Sequence, residues 1–153
     1  MKNKGMTLFI AVTVMGILLF ISFAVVNIAL KGTIFASSGR DSQFAFYAAD
    51  AGLECALYWD SKYDYFSTST ANTITCATQS SLVGGGGDAN QTSTFNFTMN
   101  QGLNSVPHCV IVTVRKYYEG SPLVLKIYIK SKGYNTCDTS NLRRVERGIE
   151  VSY

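Results

Sequence analysis

Hydrophobic and polar positions divide the chain into three stretches. Residues 6–30 carry no charge, and 20 of these 25 residues are hydrophobic. As a helix rising ~1.5 Å per residue, such a run reaches ~37 Å, enough to cross a ~30 Å hydrocarbon core with some tilt. A cleaved secretory signal has a shorter apolar region followed by a small-x-small site. This run is longer, and it continues without proline into a second helical stretch, residues 31–60. There, at 100° per residue, Arg40, Gln43, Tyr47, Asp50 and Glu54 share a polar stripe. Phe46, Ala49, Leu53, Ala56 and Leu57 form an apolar one, and Ala45, Ala48, Gly52 and Cys55 widen the apolar arc. An arc this wide predicts burial on two sides, one against this chain's own domain and one against a partner. The Ala and Gly residues would let another backbone approach closely.

After Asp60 the period changes to two. Residues 94–99 place Phe95, Phe97 and Met99 on one side. Val110, Val112 and Val114 share a face in residues 109–116, as do Leu123, Leu125, Ile127 and Ile129 in residues 122–130. The last segment aligns Val145, Ile149, Val151 and Tyr153, with Arg147 as the polar exception. Glu119, Gly120 and Ser121 supply a hairpin turn. One apolar face per strand implies an antiparallel sheet covered on one side, and the helix is the available cover. The predicted fold class is therefore α+β: a long N-terminal helix on about four antiparallel strands. Residues 67–90, with polar positions 67–70 and glycines 84–87, read as an irregular exposed connector.

Composition narrows the function. The hydrophobic fraction is 47%, concentrated in the first run, which excludes a multi-span membrane protein and a disordered chain. Cys55, Cys76, Cys109 and Cys137 are spaced by 21, 33 and 28 residues, unlike CxxC zinc sites. Four cysteines allow three pairings. We prefer Cys55–Cys76, which pins the connector to the helix end, and Cys109–Cys137, which pins the loop before the last strand to the sheet. His108 is the only histidine, and no recognised catalytic or metal motif is present; neither enzyme chemistry nor a cofactor is expected. Residues 58–66 hold five aromatics, read as helix–sheet packing or, more sharply, as an exposed contact patch around Trp59. The net charge is +3, yet Lys2 and Lys4 supply two of those charges. Residues 107–153 hold eight Lys/Arg against four acids, so a phosphate-binding face around Lys126 and Lys130 is the weaker alternative to a solvated polar sheet.

Lys4-Gly5-Met6-Thr7-Leu8 resembles the class III leader of type IV pilins and pseudopilins. The run from Arg40-Asp41 through Ala45-Phe46 to Ala48-Ala49-Asp50-Ala51-Gly52-Leu53 is similar to the helix signature of PilX-type minor pilins. The resemblance covers about residues 4–57. It implies a leader at residues 1–5, prepilin peptidase cleavage between Gly5 and Met6, methylation of Met6, and a membrane and filament-core segment at residues 6–30. An amphipathic helix at 31–60 and an extracytoplasmic connector and sheet at 61–153 would complete the pilin plan. The implied partners are other pilin subunits, the peptidase and an assembly platform in the cytoplasmic membrane. The chain would lie in that membrane, N-terminus inside, before entering an extracellular filament. Most major pilins carry a glutamate where Ile10 stands, to neutralise a neighbour's buried amine. Ile10 therefore points to a minor or tip subunit. The alternatives are an adhesive or DNA-binding tip pilin and a pseudopilin of a type II secretion system.

Overall fold

A computed structural model describes residues 4–67, 69–87, 90–100 and 106–153. Of the expected leader, residues 1–3 lie outside the described residues; so do residues 68, 88 and 89 of the expected connector. The chain forms two compact units, Met1–Gly39 and Arg40–Tyr153.

One helix, α1, runs over Lys4–Tyr63. It contains neither proline nor an acid in its first turn, and Lys62 sits in its last, where a cation is favoured by the helix dipole. In the first unit its apolar side chains are exposed on every side: Leu18, Leu19, Phe20 and Ile21 follow one another at 55–80% exposure. The helix is long and apolar enough to cross a membrane, with a mean hydropathy of 2.8 over its most apolar stretch.

In the second unit, α1 covers an antiparallel sheet. Its strands are β3 (Gln91–Met99), β4 (His108–Glu119), β5 (Val124–Tyr134) and β6 (Glu146–Ser152), in that spatial order. Every sequential pair is antiparallel, with register Phe95↔Val112, Val112↔Ser131 and Ser131↔Ile149. This is the α+β architecture expected. Phe95, Phe97, Val110, Val112, Val114 and Ile129 form the sheet side of the core, and Ala48, Leu53 and Ala56 form the helix side.

Three expectations are corrected. First, residues 67–90 are not an irregular connector throughout. They include a hairpin of β1 (Ala71–Cys76) and β2 (Gln79–Gly84), which buries Ile74, Cys76 and Val83 in the core. Its two-residue turn places Ala77 (φ 46°) and Thr78 (φ 69°) in the left-handed region usually held by Asn-Gly, so the ordinary turn signal is missing. Second, the Ala/Gly arc faces this chain's own sheet. Ala45, Ala48, Ala49, Gly52 and Ala56 are buried against it, whereas Phe46 is 49% exposed. The close approach is made by β5, whose Gly133 lies so near that a Cβ there would overlap the Ala45 carbonyl and Ala49 amide. Third, β5 begins at Val124 rather than at Pro122. Pro122 has no N–H to give to a ladder and lies in the turn, and Leu123, Val124 and Leu125 remain exposed.

Candidate functional site

The sequence-predicted positions fall in separate places. Met6 and Ile10 lie on the exposed apolar part of α1, at 72% and 51% exposure. Gly5 is helical. Two disulfides join Cys55 to Cys76 and Cys109 to Cys137, the pairing preferred from the sequence, and no cysteine is free among the described residues. The first ties the end of α1 to β1. The second ties β4 to the loop after β5, and the backbone bond from Cys137 N–H to the Pro107 carbonyl (3.2 Å) runs alongside it. His108 is buried. It stacks on Phe44 with ring centroids 5.0 Å apart and donates through Nδ1 to the Asn135 carbonyl at 2.7 Å.

The aromatic run divides between core and surface. Phe66 is fully buried. Trp59 is half-buried: it stacks on Tyr65 at 5.2 Å and donates to the Thr75 carbonyl at 3.2 Å. The exposed rings are Tyr58 and Tyr63, with the Lys62 ammonium 5.2 and 5.5 Å from their centroids. Packing thus accounts for Trp59, and the surface aromatics are its neighbours.

The cations of the sheet are largely engaged. Lys130 pairs with Glu150 at 2.6 Å and Lys132 with Glu146 at 2.9 Å. Hydrogen bonding to Lys130, and after it to Tyr128, holds the Glu150 carboxyl below its ordinary pKa. The Arg144 guanidinium lies 3.8 Å from the centre of the Tyr134 ring, and Arg115 lies 4.6 Å from that of Tyr117. Lys126 is exposed on the outer face. A face whose positive groups already hold acids and rings offers few of the phosphate contacts that nucleic-acid affinity requires.

One cluster escaped the sequence reading. Lys116, on the core face of β4, and Asp60, near the end of α1, are 3% and 6% exposed. Their charged atoms are 2.6 Å apart, Asp64 also binds the ammonium, and the Tyr153 hydroxyl donates to Asp60 Oδ2 at 2.8 Å. Burial alone would lower the Lys116 pKa; the hydrogen bonds its ammonium donates to Asp60 and Asp64, with their charges, outweigh it and raise the value. Burial and the bond to Asp60 raise that of Tyr153. The signal was available in part: Lys116 continues the two-residue repeat of Val110, Val112 and Val114 onto the core face. The cluster joins α1, β4 and Tyr153, just past β6; Lys116 and Asp60 are buried, and Asp64 and Tyr153 reach the surface. Among the described residues no group of three His, Cys, Asp or Glu side chains is placed to hold a metal.

Comparison with family models, curated proteins and solved structures finds no match.

Proposed function

We propose that this chain is a structural subunit of a type IV pilus or related filament, in a minor or tip position. It is cleaved after Gly5 by a prepilin peptidase and assembled through α1. The observation that supports this most is the division of labour along one 60-residue helix. Its second half contributes one face to a disulfide-tied domain, and its first half exposes apolar side chains all round. Such a helix needs lipid or other helices around it. In this reading it leaves the bilayer for a bundle of like helices, so little apolar surface meets water on transfer. The leader-like residues around Gly5 favour the pilin reading, and the absence of an acid at Ile10 favours the minor or tip role. The other subunits, the peptidase and the assembly platform are its partners, and a type II secretion pseudopilus is the nearest variant of the same reading.

N-terminal sequencing of the chain recovered from sheared filaments should begin at Met6, and Gly5→Leu should leave the precursor uncleaved in the membrane. Filament entry of uncleaved Gly5→Leu would overturn the proposal.

A further inference from the structure

The outer edge of β6 is open. In an antiparallel ladder, residues that bond the partner strand alternate with residues whose N–H and C=O turn outward. Tyr153 and Ile127 exchange both bonds, at 3.0 and 2.9 Å, and this sets the parity. Val151, Ile149 and Arg147 therefore bond to β5, while the peptide groups of Ser152, Glu150, Gly148 and Glu146 turn away from it. The sheet ends at β6, and among the described residues these outward groups have no backbone partner. The opposite edge is treated differently. The Gln79 side-chain amide donates to the Thr98 carbonyl at 3.0 Å and accepts from its N–H at 3.2 Å, and the Ser93 hydroxyl accepts from Gly84 N–H at 3.0 Å. The β1–β2 hairpin thus covers β3.

Beside the open edge lies a surface depression of about 350 Å3, lined by Ser42, Gln43, Phe46 and Tyr47 of α1 and by Arg147 of β6. Phe46 and Tyr47 are 49% and 59% exposed. The Arg147 Nε donates to Ser42 at 2.8 Å, and among the described residues its terminal nitrogens have no acceptor. Exposed edges are commonly protected by charges that repel an incoming strand. Here Glu146 and Glu150 are held by Lys132 and Lys130 of the neighbouring strand, so their charge is answered within the sheet.

We propose that the β6 edge and this groove are a docking site for an extended peptide segment of another protein, taken up as a fifth strand. Four peptide groups repeating every second residue match an extended backbone and no other secondary structure. The side chains of such a strand alternate in direction. Those turned inward would lie over Phe46 and Tyr47, which calls for apolar residues, and the Arg147 end calls for a carboxylate. The inference stands independently of the filament reading, since it uses only the second unit.

The test uses the full chain in detergent micelles and a phage-displayed library of random dodecapeptides. Selected peptides should alternate apolar and polar residues, with Asp or Glu toward one end. Their synthetic forms should lose at least tenfold in affinity, by fluorescence polarisation, against Gly148→Pro. That substitution removes one outward N–H and leaves the bonds to β5 intact. Phe46→Glu, at an exposed site, should weaken binding similarly, and Gly148→Ala should bind as the parent does. Bound peptide should also slow amide exchange at Gly148 and Glu150. Peptides without alternation, or equal binding to Gly148→Pro and Phe46→Glu, would overturn the proposal. Self-association of the chain that Gly148→Pro abolishes would overturn it too, by assigning the edge to a second copy.

Discussion

Lys116 turns the sheet's charge to structural use. A lysine with 3% exposure survives only where its ammonium is paired, and Asp60 and Asp64 pair it. Removing the cation while keeping the apolar stem leaves Asp60 buried beside an empty partner position. Lys116→Met should therefore destabilise the chain by about 3–5 kcal/mol, read from the shift in urea midpoint in detergent. The same cluster sets an alkaline limit. The folded-state pKa values of Lys116 and Tyr153 are both raised above their ordinary values near 10. The folded state thus holds protons that the unfolded chain would release. Their contribution is fully present below about pH 10 and is lost as the pH climbs through the folded values. Thermal midpoints should be flat across neutral pH and fall from about pH 10 upward. In Lys116→Met/Tyr153→Phe this added alkaline fall should be smaller than in the parent.

The contact between α1 and the sheet shows what a sequence pattern carries and what it leaves open. Strand positions were legible because Val110, Val112 and Val114, or Phe95 and Phe97, repeat every second residue, and burial follows that repeat. The helix was legible from its length and lack of proline. The side of the helix that meets the sheet was legible in part, since Ala49, Leu53 and Ala56 of the apolar stripe are buried. Phe46 looked like a core residue, but the smaller Ala45, Ala48 and Gly52 are buried in its stead because β5 brings Gly133 there, a long-range match invisible from either segment alone. The β1–β2 hairpin escaped for the opposite reason: its turn uses Ala77 and Thr78, which carry no turn signature. The Gly133 contact makes a sharp prediction. A methyl group there meets helix backbone, which cannot rotate away as a side chain can. Gly133→Ala should cost about 3 kcal/mol, by the same urea midpoint measurement, although alanine is otherwise no worse than glycine in a strand.

At the scale of the whole molecule, the first half of α1 can be occupied in two ways, and the two make different demands on sequence. A bilayer surrounds a span evenly, so it asks only that every face be apolar. A filament core packs particular faces against particular neighbours, so it distinguishes them. Leu18, Leu19, Phe20 and Ile21 are each exposed and, at 100° per residue, sample the four sides of one helical turn. Replacing each in turn with Asp costs about 2.5–3.5 kcal/mol of insertion wherever the residue points. All four variants should therefore become comparably extractable by alkaline carbonate. Replacing each with Ala keeps the span apolar, and all four Ala variants should stay in the membrane fraction as the parent does. Their entry into filaments should nevertheless differ, because a truncated side chain leaves a void only on a side that packs against another subunit. Counting subunits in sheared filaments by quantitative mass spectrometry reads this directly. One or two Ala variants should be depleted severalfold while their neighbours enter normally. Equal entry of all four would mean that this turn packs against no preferred neighbour, leaving α1 as an anchor there and removing the main physical support for a filament role.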